Sequence, residues 1–279
     1  MDAPAIINLL LLTLVQSITE FFPVSSSAHL IIISNLFQDQ YQLSLQGLSL
    51  HILLHMGSAS AIIVYFFQDW KKYFVSFFSN AKKHQLQVKH WDQDGKMLLN
   101  LSIATLPAVV IGFFFYDFIA ENLRNVYVVS SALTIGAIIL FFADKLHQQT
   151  GRSEINSLNF QSYLLLGFVQ ALAFIPGVSR SGIIISMALL LKFDKNASIK
   201  IAFLMSCPVI IGATTHELLF NFDSLIFENF LVATLCYLFA FFSSLIVIRL
   251  LLSYINKYSF SIFVIYRIMM SLILIFFLA

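Results

Sequence analysis

Apolar residues run almost unbroken from Ala5 to Val15 and resume from Leu30 to Ile33, and between them the chain turns polar. The interruption reads Gln16-Ser-Ile-Thr-Glu20-Phe-Phe-Pro23-Val-Ser25-Ser26-Ser27-Ala-His29. Crossing a bilayer takes roughly 20 apolar residues. Six runs qualify: 46–68, 98–118, 126–143, 200–220, 229–252 and 261–279. Two other apolar regions, 4–36 and 158–192, are each broken near the middle. Each is too long for one helix and too short for two full spans. Each is therefore expected to be a re-entrant helix–break–helix hairpin that enters and leaves on one side. Non-helical backbone at membrane depth is tolerated where protein or water covers it. Pro23 and Pro176-Gly177 supply the breaks, because proline lacks the N–H and clashes with the preceding turn.

The second break nearly copies the first: Val169-Gln170-Ala-Leu-Ala-Phe-Ile-Pro176-Gly177-Val-Ser179-Arg180-Ser181-Gly182-Ile-Ile-Ile-Ser186. Of the residues, 59% are hydrophobic and only 11% charged, where a soluble domain carries about 25%. The fold class is an all-α polytopic membrane protein. Cys207 and Cys236 lie in apolar runs and read as packing. Charge placement then orients the chain. Segments 71–97, 144–157, 192–200 and 249–260 hold thirteen of the sixteen basic residues, and we place them in the cytoplasm. Connections 37–45, 119–125 and 221–228 are poor in Lys and Arg and are placed outside. The alternation closes only if both broken regions are re-entrant. The expected plan is six spans plus two hairpins in an inverted-topology repeat: residues 1–143, a linker at 144–157, and residues 158–279. Both termini lie outside. Such folds bring two broken helices together near the midplane, where substrate binds.

Ser179-Arg180-Ser181-Gly182 opens a half-helix, with Ser179 at the N-cap position. A helix N-terminus is a ready anion site, and arginine's planar fork suits phosphate oxygens. The alternative is a bare helix break with an arginine paired to a carboxylate. The first copy adds chemistry: Ser25, Ser26 and Ser27 follow a proline, His29 is a candidate base or nucleophile, and Glu20 lies one turn beyond Gln16. Glu20 can bind a divalent cation, orient His29 or accept a proton. Against this, membrane serines often bond back to the i−4 carbonyl, and a lone histidine is usually structural. The combined set suits phosphoryl transfer, which needs positioning and charge stabilisation above all.

These residues resemble the bacterial undecaprenyl pyrophosphate phosphatase family, also known for bacitracin resistance. Glu20 to His29 looks like its first signature and Pro176 to Gly182 like its second, and the resemblance spans the chain. It implies an inner-membrane enzyme that removes the terminal phosphate of undecaprenyl diphosphate. The undecaprenyl phosphate product returns to peptidoglycan synthesis, hence to cell wall and cell shape. The implied site faces the periplasm and uses Mg2+ or Ca2+. The family's catalytic residues fall on Glu20, Ser26, His29 and Arg180, with Glu20 the implied metal ligand. Phosphate contacts fall to Ser25, Ser27, Ser179, Ser181 and Gly182, with Gln16 and Gln170 in support. The family pattern allows Glu or Gln at the place of Gln16, and the neutral amide here weakens a two-carboxylate metal site. A second lipid-phosphatase superfamily requires a histidine where Ile185 stands and is set aside. Ser26 with His29 as base, His29 itself, or an activated water can attack phosphorus.

The partners implied are a polyprenyl diphosphate and membrane lipid, with no nucleic acid and with room for a homodimer. His51 and His55 have metal-pair spacing without an accompanying motif, and His55 is a candidate for the pocket mouth. His216-Glu217 is a second candidate there. Arg267, two turns into the last run, is expected to snorkel toward the cytoplasm or to form an ion pair. The rival class is a transporter or flippase for an anionic lipid carrier, since inverted repeats with broken helices are common there. The hydroxyls and histidine gathered in one hairpin favour the enzyme.

Overall fold

The computed structural model describes residues 3–36, 48–85, 87–147, 160–220 and 230–278, and their regular structure is entirely helical. In chain order the helices are α1 (Ala3–Phe21), α2 (Ser26–Leu36), α3 (Leu48–Tyr65), α4 (Phe67–His84), α5 (Gln93–Asn122) and α6 (Val126–His147). They continue with α7 (Phe160–Ala171), α8 (Arg180–Leu190), α9 (Lys195–Phe220), α10 (Phe230–Ile255) and α11 (Ser261–Leu278). Four are long and apolar enough to cross a membrane: α5, α6, α9 and α10. They match the runs 98–118, 126–143, 200–220 and 229–252. Run 46–68 is α3, which bends by 75° into α4. Run 261–279 is the 18-residue α11. Both interrupted regions are broken as expected, between Phe21 and Ser26 and between Ala171 and Arg180. At 1.5 Å per residue the 11-residue α2 and α8 reach about 16 Å, half a bilayer core. Connections 37–45 and 221–228, and the linker beyond His147, lie outside the described residues.

The segment 71–97, placed in the cytoplasm by its lysines, is largely helical. Its apolar residues recur with helical period, so α4 is amphipathic. Lys71, Lys72, Lys82 and Lys83 are exposed on it, as are Phe74, Val75 and Phe78. The helix is fixed to the start of α5. Asp92 caps α5 through Gly95 N–H at 2.8 Å and also accepts from Ser76. Lys72 pairs with Asp94 at 3.0 Å, and Phe77 packs edge-on against Trp91. Desolvation alone would raise the Asp92 carboxyl; the Ser76 and Gly95 donors outweigh it and hold the group below the usual range.

The basic segments gather at one end. Lys195 pairs with Asp144 at 3.3 Å and donates to the Tyr258 carbonyl at 3.1 Å. Asn196 bonds Asn256 at 2.6 Å, and Lys200 pairs with Asp69 at 2.6 Å. The longer helices pack in matched pairs: α3 on α10 and α9 on α5, α1 on α10 and α7 on α5, with α6 on α11 and α3 on α9. The α5–α7 contact depends on Gly167, where a Cβ would meet the Ala104 carbonyl oxygen at 2.4 Å. Without a hydrophobic drive between helices in lipid, such close approach of small residues is what holds them. Gly167→Val is expected to cost about 1–3 kcal/mol by overpacking, seen as a lower thermal midpoint in detergent. Gly212→Ala, with nothing within 4 Å of the new methyl, should leave the midpoint unchanged or raise it.

Candidate active site

Each hairpin turns at a serine in the left-handed region: Ser25 at φ 73° and Ser179 at φ 69°. That conformation costs a non-glycine residue roughly 1–2 kcal/mol and persists where the surroundings enforce it. Two cross-bonds join the tips. The Gly177 N–H donates to Ser27 Oγ at 3.3 Å, and the Ser181 hydroxyl donates to the Phe22 carbonyl at 3.1 Å. Within each tip the hydroxyls pair, Ser25 with Ser27 at 3.1 Å and Ser179 with Ser181 at 3.3 Å. Ser179 is the N-cap of α8, accepting from Gly182 N–H at 3.2 Å. Gly177 has φ 100°, and a Cβ there would meet the Val129 carbonyl oxygen at 2.4 Å, so only glycine fits.

Arg267 lies beneath both tips. It is fully buried and donates to five backbone carbonyls. Pro23 accepts at 3.3 Å from the first tip, and Gly177 and Val178 at 3.0 and 2.9 Å from the second. Ala132 and Leu133 accept at 3.3 and 3.2 Å from α6. This corrects the sequence expectation: Arg267 does not snorkel, and among the described residues it forms no ion pair. Broken helices leave carbonyls without intrahelical donors, and a guanidinium with five N–H groups can serve them together. Room for it comes from Gly136, where a Cβ would lie 2.0 Å from Nη2. Sequence reasoning missed this role. The available signal was a charge two turns into an apolar helix with no acid within a turn on either side.

Glu20, at the end of α1, is the other centre. Its side chain is 9% exposed. Oε2 accepts from Gln16 Nε2 at 3.1 Å and from the Ser26 hydroxyl at 2.9 Å. Oε1 faces Arg180 Nη1 at 3.8 Å and His55 Nδ1 at 3.9 Å. Three elements thus meet at one carboxylate: the first hairpin, the second through Arg180, and α3 through His55. His29 is held elsewhere. Its Nδ1 lies 2.7 Å from the Ser25 carbonyl, which can only accept, so Nδ1 carries the proton. Nε2 meets the Tyr266 hydroxyl at 2.6 Å, with the rings stacked 5.6 Å apart. The hydrogen-bond partner of Ser26 is Glu20, not His29. Gln170 is buried, and neither of its amide atoms has a protein partner. His216 is half-buried on α9; the side chains of His51 and Glu217 lie outside the described residues.

Among the described residues no three His, Cys, Asp or Glu side chains converge on a metal position. Glu20 Oε2 accepts from the Gln16 amide and the Ser26 hydroxyl and Oε1 faces the Arg180 guanidinium, an environment that suits an anionic carboxylate without a resident cation. Chemically the site offers a buried carboxylate, a hydroxyl bonded to it and an arginine beside it, at a break in apolar helices.

An all-helical chain with several membrane-crossing helices and such a break is a polytopic membrane protein with an embedded polar site. The chain belongs to the family described as bacitracin resistance protein BacA, whose model matches residues 9–273. It is 38% identical over 273 residues to an undecaprenyl-diphosphatase of Elusimicrobium minutum, covering 96% of both chains. Undecaprenyl-diphosphatases of Pelagibacter ubique and Saccharophagus degradans are 35% and 34% identical, covering 96% and 95% of this chain and 96% of each relative.

Arg267→Met should leave the Pro23, Gly177 and Val178 carbonyls, which lie outside the helices, without this donor, and remove a second bond from Ala132 and Leu133 of α6. With each buried orphan costing about 1–3 kcal/mol, the variant is expected to lose monodispersity and thermal stability in detergent. Arg267→Lys, with three donors and no fork, should fall between it and wild type.

Proposed function

We infer that this protein hydrolyses undecaprenyl diphosphate to undecaprenyl phosphate and inorganic phosphate. The observation that carries this reading is the meeting of Glu20, Ser26 and Arg180 across the two hairpins (2.9 and 3.8 Å from the carboxylate oxygens), in a chain whose relatives are undecaprenyl-diphosphatases. Arg180 binds a terminal phosphate oxygen with its planar fork. Glu20 orients the guanidinium and takes a proton as the new bond to phosphorus forms. Gln16 and Ser26 hold the carboxylate in place. The hydroxyls of Ser25, Ser27, Ser179 and Ser181, with the Gly182 N–H, fix the tips. We place His29 as a positioning group for the first tip through Ser25 and Tyr266. A cavity of about 460 Å³ beside the second tip, walled by Ile135, Ile139, Leu172, Ile175 and Ile183, offers apolar surface for an isoprenoid chain. We propose that Mg2+ or Ca2+ arrives on the diphosphate, whose own oxygens are its natural ligands; when bound it offsets phosphate charge.

The finer architecture is part of the same proposal: six crossings, two re-entrant hairpins, and repeats 1–143 and 158–279 of opposite orientation. Its support is the packing, since exchanging α3 with α9, α5 with α10 and α1 with α7 turns each matched pair of contacts into the other. The end carrying the basic segments is assigned to the cytoplasm by charge. That assignment puts the first hairpin's mouth and both termini on the periplasmic face of a bacterial inner membrane. There the product re-enters peptidoglycan synthesis, and a homodimer is compatible with this arrangement. The flippase alternative draws on the same exchange symmetry, and an activity assay separates the two. Purified protein with Mg2+ or Ca2+ should release phosphate from undecaprenyl diphosphate. Arg180→Ala and Glu20→Gln should be slower by about 100-fold or more, the scale of losing one preorganised charge-stabilising contact. No release by wild type, or equal release by the variants, contradicts the enzyme reading.

A further inference from the structure

Two contacts to Glu20 Oε1 are too long to be hydrogen bonds: Arg180 Nη1 at 3.8 Å and His55 Nδ1 at 3.9 Å. Both nitrogens are buried and, among the described residues, without a hydrogen-bond partner. Leaving such donors and acceptors unsatisfied costs about 1–3 kcal/mol each. Three polar groups that converge on one point without bonding one another are the usual surroundings of a buried water, which makes about three hydrogen bonds to otherwise unpaired groups. A polar gap beyond 3.5 Å is most simply bridged that way.

We propose that Glu20, His55 and Arg180 hold the hydrolytic water, and that His55 is a further catalytic residue of this site. The water donates one hydrogen to Glu20 Oε1 and the other to His55 Nδ1, in the tautomer protonated at Nε2. It accepts from Arg180 Nη1–H. Its remaining lone pair is free for the phosphorus of a phosphate held by the same arginine. In the reaction the water oxygen forms the new P–O bond, and the bridging P–O bond of the diphosphate breaks. Undecaprenyl phosphate leaves with the bridging oxygen, and the water's proton passes to Glu20. The other candidate nucleophiles are engaged: Ser26 donates to Oε2, and His29 bonds the Ser25 carbonyl and Tyr266. The second imidazole near the tips, His55, is the one that faces the carboxylate. Its backbone is fixed by the close packing of α3 on α10, where Gly57 abuts Ala240.

The inference rests on the diphosphatase reading, and two readouts keep them apart. Phosphate release by wild type tests the activity. The stereochemical course tests the water. A farnesyl substrate with an isotopically chiral terminal thiophosphate, hydrolysed in isotopically labelled water, should give inverted product. Retention, the signature of attack by Ser26 or His29 followed by hydrolysis, overturns the proposal; absence of any release overturns it together with the enzyme reading. With farnesyl diphosphate, His55→Phe should lower kcat by about 100-fold, the scale of losing a positioned reactant. Its KM should stay within about 3-fold of wild type, as expected for an interaction made in the transition state. His55→Gln, whose amide oxygen can accept the same water hydrogen, should recover most of kcat. Equal kcat for His55→Phe and wild type, or His55→Gln no better than His55→Phe in equally stable proteins, contradicts the role.

Discussion

The site depends on one buried cation that serves five backbone carbonyls. Two helices broken inside a bilayer expose carbonyls that lipid cannot serve, and each unserved group is costly. Arg267 answers carbonyls from both breaks and from α6 with one side chain. It thereby ties the height of one tip to the height of the other. The cross-bonds from Gly177 to Ser27 and from Ser181 to Phe22 follow from that constraint. So does the placement of Arg180 beside Glu20, since Arg180 opens the helix whose entry Arg267 fixes. Among the described residues no carboxylate pairs with this positive charge, so it adds to the field that a diphosphate meets.

Around this clamp the two hairpins have divided their tasks. Both keep a glutamine, a left-handed serine and paired hydroxyls. The first adds Glu20, which engages Gln16 and Ser26. The second has Phe174 at the position matching Glu20 and Arg180 at the position matching Ser26. One copy therefore carries the acid and the other the cation, and the two meet across the tips. Electrostatics favours the meeting, because a buried carboxylate needs donors and a phosphate-binding arginine needs an orienting anion.

Much of this was legible in the chain. The breaks at Pro23 and Pro176-Gly177, and the four longest crossings, followed from run length and proline chemistry. The pairing of Glu20 with Gln16 followed from helical spacing, and the capping role of Ser179 from residue type. What was not legible concerns contacts between distant segments. The five carbonyls on Arg267 come from three separate stretches, and spacing along one helix cannot announce them. Tyr266 beside His29 is equally remote in sequence, and it turns His29 away from Ser26. The segment 71–97 was read only for its charge, while the apolar residues between its lysines repeat with helical period and make α4. His55 was visible only as a candidate for the pocket mouth; its approach to Glu20 depends on how α3 packs against α1.

The central claim is that both hairpins contribute to one diphosphate site. A structure with farnesyl methylene-diphosphonate bound tests it most directly. The account predicts the terminal phosphonate against Arg180 and beside Glu20 and Ser26, with the Gly177–Ser27 contact intact. A phosphonate bound to one hairpin alone, with Arg180 turned away or the tips parted, would contradict it.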